Sequence, residues 1–559
     1  MQLLRQEVER VLKREGLDAS LVERPPRPEM GDLAFPCFEL AKKRKSNPAG
    51  LASDIALKLR PTGVLGKIAA MGPYVNFYAD WERLGELVLK QALKENEKYG
   101  SSSRQKKKIM VEFAHPNTHK TFHIGHLRNI TLGESLSRIL DFAGNDVIRA
   151  NYQGDIGPHV ARCLWGILHL GLKEPKENKG KWLGDIYAAM GKKAADPKVD
   201  AGIRQINRDL YAGKPDILKL WQKTRKWSLD YFDGIYKDFG VRFDRLYFES
   251  EVEKPGVKLA KKLLDEKTAK LSDGAIIMDL EEYGLGIFVL LSQDGTPLYS
   301  IKDFILADLQ EKEFKPDRIV HIVGSEQDLY FRQLFKSLET VNPDVARKEH
   351  HLSYSLVNLE SGKMSSREGN VILYEDLRER LLGVAGKLTK KKNPKLKKKE
   401  MEAIAGIVAM GALRYEMIKV SPEKTIVFDW VRALSFEGNN APYLQYTHAR
   451  CCSISRKSGL EEISNFDANV LLEDREIKLI KKVSEFPEIV EKSAKEMRPH
   501  YIATYAYELC DAFNEFYQFV PVINSEERLR KARLALVSAV RITLRNALRL
   551  LGIEAPESM

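Results

Sequence analysis

Hydrophobic residues follow different spacings in successive parts of the chain. Residues 2–15 and 50–60 carry apolar side chains at helical intervals, and two extended segments follow at 64–70 and 74–80. The Gly-Asp pair at 31–32 supplies a turn. We predict a small, separate α+β domain in this first part of the chain.

Strand-like and helix-like patterns then alternate. Apolar runs of strand length lie at 109–114, 146–153, 286–292, 318–324 and 351–359. Helical patterns lie at 124–144, 301–312 and 326–340, and a long, mostly helical stretch covers 160–270. This alternation predicts a parallel sheet with crossover helices, and the long stretch predicts an insertion between the two halves of the sheet.

Beyond about residue 375 the pattern is helical, and no strand is predicted. Near the end, apolar residues recur at the spacing of an amphipathic helix, at Leu534, Val537, Leu544, Leu548 and Leu551. A second stripe on the same helix consists of Arg541, Arg545 and Arg549. Such a stripe is typical of a solvated face or of a face that contacts RNA.

The segment 387–399 holds eight lysines and no acid. This composition is typical of a solvated, flexible loop, and the alternative is a segment that contacts phosphates.

Composition narrows the class of protein. The 559 residues are 43% hydrophobic, which supports several buried cores and argues against a disordered chain. The formal charge of +12 would attract polyanions such as nucleic acid, although ordinary enzymes also carry such charges. Five scattered cysteines form no CxxC pair, and no apolar run reaches membrane-spanning length. We expect a cytoplasmic protein with no bound zinc and no membrane association.

The segment 111–129 carries the first candidate chemistry. A predicted strand leads directly into His123-Ile124-Gly125-His126, where a helix begins. Glycine lets a nucleotide approach the backbone, and the free N–H groups of a helix start face phosphates. The two imidazoles can donate to the oxygens of a transferring phosphate. We interpret this helix start as a candidate triphosphate site.

A second candidate element follows the last predicted strand, at residues 362–370. Its Gly, Ser and Asn content predicts a mobile loop, and it offers two cations, Lys363 and Arg367. A loop that closes over pyrophosphate stabilises the negative charge of the transition state. The early HxGH and the late Lys-Met-Ser together resemble the signature pair of the class I aminoacyl-tRNA synthetases.

Within that class the chain resembles the arginyl-tRNA synthetase family. The segments that carry this resemblance are 31–42, 71–78, 112–129, 151–159, 294–303, 323–335, 362–370, 434–450 and 551–559. One departure is His159, because the family often has glutamine there. The resemblance covers nearly the whole chain.

The family's fold implies a multidomain α/β protein. Its parts would be a small α+β, tRNA-contacting N-terminal domain at 1–100, a Rossmann-type parallel-sheet catalytic domain at 101–375 and an all-helical anticodon-binding domain at 376–559. The insertion in the catalytic domain would lie at about 160–280.

The resemblance also implies the site residues. The catalytic positions are His123, His126, Lys120 and Lys363. The ATP-binding positions are Pro116, Asn117, His123, Ile124, Gly125, His126, Lys363, Met364, Ser365 and Ser366. The arginine-binding positions are Glu112, Asn117, Tyr299, Asp303 and Gln327. Tyr299 and Asp303 are four residues apart, so one helical turn would put them on a shared face.

The loop departs from the usual family motif, because Ser366 stands where a lysine is common. Family members that lack this lysine tend to have one upstream, near the place of Lys120. Lys120 is therefore the expected substitute, and Arg367 is the competing candidate.

We interpret the chain as an ATP-dependent ligase that activates L-arginine as arginyl-adenylate and transfers it to the terminal adenosine of tRNA(Arg). ATP would act as its Mg²⁺ complex, and no dedicated metal site is expected. The expected partners are tRNA(Arg), L-arginine and ATP, and the enzyme is expected to be a monomer. Two alternatives remain open: an HxGH nucleotidylyltransferase that does not use tRNA, and a non-catalytic tRNA-binding paralogue.

Overall fold

The computed structural model describes residues 1–102, 107–359, 372–392, 394–459 and 465–559. The strands are β1 (Leu33–Pro36), β2 (Leu65–Met71), β3 (Tyr74–Ala79), β4 (Lys108–Glu112), β5 (Asp146–Gln153), β6 (Arg245–Phe248), β7 (Lys270–Ser272), β8 (Ala275–Asp279), β9 (Ile287–Leu291), β10 (Arg318–Gly324), β11 (Glu349–Tyr354), β12 (Val357–Leu359) and β13 (Ile426–Phe428). The first ten helices are α1 (Gln2–Arg14), α2 (Phe38–Arg44), α3 (Pro48–Lys58), α4 (Trp81–Glu95), α5 (Ile124–Phe142), α6 (Pro158–His169), α7 (Lys179–Lys193), α8 (Pro197–Tyr211), α9 (Pro215–Asp238) and α10 (Glu249–Asp265). The remaining helices are α11 (Tyr299–Phe314), α12 (Asp328–Val341), α13 (Pro343–Ala346), α14 (Tyr374–Lys392), α15 (Lys398–Ile418), α16 (Trp430–Ala433), α17 (Ala441–Ser458), α18 (Asp474–Glu496), α19 (His500–Phe519) and α20 (Glu527–Leu550).

The N-terminal part forms a three-stranded antiparallel sheet in the order β1-β3-β2. Helix α1 buries an apolar stripe that includes Leu4, Val8 and Leu12, because these residues recur every four positions. The predicted helices at 2–15 and 50–60 and the two predicted strands are confirmed.

The central part is built on five parallel strands in the order β11-β10-β4-β5-β6. The predicted strands at 109–114, 146–153 and 318–324 belong to this sheet. The chain passes from β4 to β5 on one side and later returns to β10 on the other side of β4. In such sheets a crevice opens where the strand order reverses, at the carboxyl ends of β4 and β10.

Two strand predictions differ from the structure. The run at 286–292 does not join the parallel sheet, because β9 pairs antiparallel with β8 in a separate sheet with β7. The strand beside β5, at one edge of the parallel sheet, is β6 instead, which lies inside the stretch predicted to be mostly helical. The strand has four residues, of which only Tyr247 is fully buried. So short a strand does not show a recognisable alternation of apolar and polar residues.

The predicted run at 351–359 is two strands rather than one. Strand β11 ends at Tyr354, and β12 begins at Val357 and pairs parallel with β13. The prediction that no strand follows residue 375 is therefore wrong for β13. A three-residue strand is too short to show a periodicity.

The C-terminal part is a helical domain, and the apolar stripe predicted for α20 is buried. The lysine-rich segment is largely helical rather than a loop, because α14 extends to Lys392 and α15 begins at Lys398. On the arginine stripe, Arg545 and Arg549 donate to Asn96 and Glu97, at the end of the N-terminal part. These two side chains therefore join domains. Among the described helices, none has the length and apolar character that crossing a membrane requires.

Arg128, on α5, is a fully buried charged side chain. Its guanidinium donates to the carbonyl oxygens of Ser355 and Leu356, between β11 and β12. It also donates to the carbonyl oxygens of Ser421, Pro422 and Lys424, at distances of 3.4, 3.0 and 2.8 Å. Burial lowers the pKa of Arg128 to about 10, so the side chain remains a cation at neutral pH. One side chain thus joins α5 to two turns from distant parts of the sequence.

Replacing Arg128 with methionine should lower the stability of the protein strongly. Five carbonyl groups would lose a charged donor, at about 1.5–3 kcal/mol for each hydrogen bond to a charged group. We expect the midpoint of thermal unfolding to fall by roughly 5 °C or more. Arg10→Met is the control, because the Arg10 side chain is 61% exposed and should change the midpoint little. Equal shifts in the two variants would contradict this role for Arg128.

Candidate active site

A cavity of about 380 Å³ opens at the crevice between the carboxyl ends of β4 and β10. Its lining includes all five predicted arginine-binding residues: Glu112, Asn117, Tyr299, Asp303 and Gln327. These residues come from β4, the loop after it, α11 and the turn before α12. The fold therefore brings together positions that are up to 215 residues apart in the sequence (327 − 112).

Asp303 is the most informative residue of this cavity. Its Oδ2 atom accepts a hydrogen bond from the hydroxyl of Tyr330, whereas its Oδ1 atom is buried and has no partner in the structure. Burial raises the pKa of Asp303 to about 7. An unpartnered buried carboxylate oxygen requires a donor or a cation, so this atom marks a ligand position.

Tyr299 lies one helical turn before Asp303 and lines the same cavity, as the spacing predicts. The residue is 55% exposed. Its hydroxyl interacts with Glu249, which also binds the Lys302 ammonium at 2.9 Å. Burial raises the pKa of Glu249, and the neighbouring ammonium of Lys302 opposes that rise.

Glu112 is held on two sides at the end of β4. Its Oε1 atom lies 3.0 Å from Nδ1 of His321, and its Oε2 atom accepts from Gln310. Burial would raise the pKa of this carboxyl, but the charge and hydrogen bond of His321 bring it below the usual value. Glu112 is therefore an anion that faces the cavity.

The loop that follows β4 passes close to β5. Asn117 lies against Gly154, and a Cβ atom at Gly154 would collide with Asn117 Oδ1. Ala114 and His115 adopt left-handed backbone conformations, with φ of 79° and 47°. Their N–H groups donate to Asn129 and Asn151, which stabilises this conformation.

His123 and His126 begin α5 as a capping box. The His123 Nδ1 atom accepts from Gly125 N at 3.2 Å, and the His126 Nδ1 atom accepts from His123 N at 3.1 Å. Burial, with help from the charge of Lys120, lowers the pKa of His123 to about 4. Burial likewise lowers the pKa of His126. Both rings are therefore neutral, and because Nδ1 accepts, each carries its proton on Nε2 as a donor.

Four further predicted residues lie in or before the helix start. Pro116 and Ile124 are buried, and the ring of His123 lies 3.1 Å from the position that a Cβ atom at Gly125 would occupy. The ammonium of Lys120 lies 5.1 Å from the ring centre of Tyr187 and close enough to His123 to lower its pKa, after the larger effect of burial. Lys120 is thus beside the helix start.

The predicted loop residues Lys363, Met364, Ser365, Ser366 and Arg367 lie outside the described residues. The chain that follows this loop is described. Ile124 N donates to Ile372 O at 3.2 Å, and Tyr374 N donates to Phe122 O at 3.0 Å. Residues 372–374 therefore run beside the start of α5.

Sequence reasoning missed several residues that line the cavity, among them His115, Glu249, Gln310, His321, Tyr330 and Glu349. His321 had a recognisable signal, since it is a lone polar residue in the middle of an apolar strand. Glu249 had none, because it follows the unpredicted strand β6. Among the described residues, no group of three or more His, Cys, Asp or Glu side chains is arranged to hold a metal ion.

Comparisons with known proteins define the class first. The sequence model of the family described as "tRNA synthetases class I (R), catalytic domain" matches residues 88–430. An arginyl-tRNA synthetase N-terminal domain matches residues 2–79, and a DALR anticodon-binding domain matches residues 444–559. The protein is a class I aminoacyl-tRNA synthetase.

Full-length relatives narrow the class to one family. The chain is 36% identical to an arginine–tRNA ligase of Clostridioides difficile, over 98% of this chain and 97% of that one. It is 38% identical to the arginine–tRNA ligase of Treponema denticola, over 96% of this chain and 94% of that one. The arginyl-tRNA synthetase of Thermus thermophilus superposes over 100% of both chains with a TM-score of 0.84 and 28% identity. The chain belongs to the arginyl-tRNA synthetase family.

The raised pKa of Asp303 predicts that arginine binding releases protons. At pH 7 about half of the empty sites would hold a protonated Asp303, and a guanidinium favours the ionised form. Arginine affinity should therefore fall as the pH drops below about 7, by up to about tenfold per pH unit. Calorimetry at pH 7 in phosphate and in Tris should give different binding heats, and Asp303→Asn should remove the difference. Equal heats in the wild type would contradict this assignment.

Proposed function

We propose that this chain joins L-arginine to tRNA(Arg) in two steps. The arginine carboxylate first attacks the α-phosphate of ATP, which gives arginyl-adenylate and releases pyrophosphate. A ribose hydroxyl of the terminal adenosine of the tRNA then attacks the adenylate and releases AMP. The observation that carries this proposal is the unpartnered oxygen of Asp303 in an acid-lined cavity, whose lining includes Asn117 of the loop that leads to the His123 helix start.

The cavity is our proposed arginine site. Four carboxyl groups line it, from Glu112, Glu249, Asp303 and Glu349. A planar guanidinium can donate two parallel N–H bonds to Asp303, with Tyr299 one turn away on the same helix. Asn117 and Gln327 stand at other positions of the lining and are proposed to contact the amino-acid backbone.

The start of α5 is our proposed ATP site. The Nε2–H groups of His123 and His126 are positioned to donate to phosphate oxygens, and Gly125 keeps the backbone accessible. The proposed ATP contacts also include Pro116, Asn117, Ile124, Lys363, Met364, Ser365 and Ser366. ATP would enter as its Mg²⁺ complex, so the ion is part of the substrate.

Lys120 is proposed as the cation that replaces the lysine missing at position 366. Its ammonium lies beside His123, where the charge of the leaving pyrophosphate would develop. This proximity favours a catalytic role for Lys120 over the alternative that it is only a solvated loop lysine. Arg367 remains the competing candidate.

The N-terminal domain matches a domain of arginyl-tRNA synthetases and the C-terminal domain matches an anticodon-binding domain, which supports tRNA(Arg) as the partner. These matches disfavour a nucleotidylyltransferase that does not use tRNA. A non-catalytic paralogue would not need the buried acids of the cavity or the two histidine donors. The monomeric state and the cytoplasmic location stay predictions.

Aminoacylation with each of the twenty amino acids tests the proposal directly. We expect arginine to be the substrate and lysine to be a poor one, because an ammonium cannot form the bidentate pair. Asp303→Asn should raise the KM for arginine by roughly tenfold or more, a loss of about 1.4 kcal/mol or more. The KM for ATP should stay near the wild-type value. Efficient charging of lysine, or an unchanged arginine KM in Asp303→Asn, would contradict the proposed pocket.

A second variant tests the role of the histidine donors. Asparagine at position 123 keeps an acceptor for the Gly125 N–H group, because asparagine is a good N-cap, but it removes the Nε2 donor. We expect His123→Asn to retain its thermal stability and to form adenylate about a hundredfold more slowly, which corresponds to about 3 kcal/mol. Single-turnover adenylate formation measures this step. A normal rate would exclude His123 from transition-state stabilisation.

A further inference from the structure

We propose that His321 is a positioning residue of the arginine pocket, where it clamps the Glu112 carboxylate at the cavity wall and keeps it ionised for the bound amino acid. This inference rests on the proposed function and extends it to three residues that the sequence did not indicate: His321, Glu349 and Gln310.

The sheet register places the participants on one face. His321 of β10 pairs with Glu112 of β4 on one side and with His351 of β11 on the other. Side chains of residues that pair in register point to the same side of a sheet, and so do residues two apart along a strand. Glu349, two residues before His351, therefore shares this face. The three neighbouring strands thus bring Glu112, His321 and Glu349 into one row.

The contacts require a doubly protonated ring. Nδ1 of His321 lies 3.0 Å from Glu112 Oε1, and Nε2 lies 2.5 Å from Glu349 Oε2. Each carboxylate oxygen accepts, so both ring nitrogens must donate, and the ring is an imidazolium. Burial opposes this charge, but the two carboxylates outweigh it and raise the pKa of His321 well above its usual value.

The clamp holds both oxygens of Glu112 at the cavity wall. Its second oxygen accepts from the side-chain amide of Gln310 on α11, so the carboxylate cannot rotate without losing a bond. If a neutral side chain replaced His321, two buried carboxylates would face each other without a cation between them. One of them would then take up a proton. A pocket that must attract a cationic substrate needs the ionised form.

A purely structural histidine is the competing explanation. The ring of His321 packs beside Phe331 and Phe335, with centroids 5.5 and 6.2 Å away, so it also fills space in the core. A histidine that only fills space does not need a carboxylate at each ring nitrogen, as Glu112 and Glu349 provide here. The two explanations differ in whether the effect of His321 depends on the carboxylate of Glu112.

A double-mutant cycle separates the two explanations. The variants are His321→Gln, Glu112→Gln and the double variant, and the readouts are thermal stability, kcat, and the KM values for arginine and ATP during aminoacylation. We expect His321→Gln to raise the arginine KM at least tenfold and to change the ATP KM by less than twofold. In the Glu112→Gln background, the same substitution should change the arginine KM by less than twofold. An equal increase in both backgrounds, or no increase in either, would overturn the proposal.

His351→Gln is the matched control. His351 lies on the same sheet face and stacks on Phe331 with a centroid distance of 4.3 Å. Its Nε2 atom contacts the Val323 carbonyl oxygen at 3.1 Å rather than a carboxylate of the cavity. We expect it to leave the arginine KM within twofold of the wild type. A tenfold increase in this control would show that any disturbance of this face has the same effect, and would overturn the proposal.

Glu349→Gln keeps the test valid if His321→Gln does not fold. Glu349 and Glu112 contact opposite nitrogens of His321, so coupling between them must pass through that ring. We expect Glu349→Gln to raise the arginine KM at least threefold with Glu112 present and to have no effect in Glu112→Gln. Independent effects would overturn the proposal. Failure of the wild type to charge tRNA with arginine would instead refute the proposed function.

Discussion

The site depends on the position of α5, which is fixed by the hydrogen bonds of two adjacent side chains, Arg128 and Asn129. Arg128 donates to carbonyl groups in two distant turns, at 355–356 and 421–424. Asn129 accepts from Ala114 N and donates to the Ile322 carbonyl, so it joins the ends of β4 and β10. Loss of a hydrogen-bond partner from a buried guanidinium or amide costs free energy of folding. These hydrogen bonds therefore hold the start of α5 in place relative to the crevice.

Electrostatics explains how the proposed arginine cavity can carry so many acids. Three of its carboxylates have a cationic partner within the protein, because Glu249 pairs with Lys302 and one imidazolium serves both Glu112 and Glu349. Asp303 has only a tyrosine hydroxyl as a partner, and its pKa rises to about 7 as a result of burial. The cavity is therefore short of positive charge, and a ligand that carries a guanidinium supplies it.

The C-terminal helical domain is anchored to a short segment after α4. The hydroxyl of Tyr99 donates to Val483 O on α18 at 2.9 Å, and Asn546 on α20 donates to Asn96 O at 2.8 Å. Gly100 follows with φ of 91°, and a Cβ atom there would collide with the ring of Phe486. Arg545 and Arg549 of the arginine stripe on α20 donate to the same segment, so these charged side chains contribute to the contact between domains. The domain that matches the anticodon-binding family is thus anchored to the first residues of the stretch that matches the catalytic family.

Local patterns in the sequence determined the helices, the inner strands, the His123–His126 helix start and the pairing of Tyr299 with Asp303, because each rests on spacing within one element. Resemblance to a family added the arginine-binding roles of Glu112, Asn117, Tyr299, Asp303 and Gln327. Tertiary structure alone decided that β6 forms the sheet edge, that 286–292 leaves the parallel sheet, and that the arginine stripe joins domains. It alone decided the row of Glu112, His321 and Glu349, since the register of three strands from distant segments creates that row. Strand pairing is a long-range interaction, and the sequence of a short strand does not indicate which strands it will pair with.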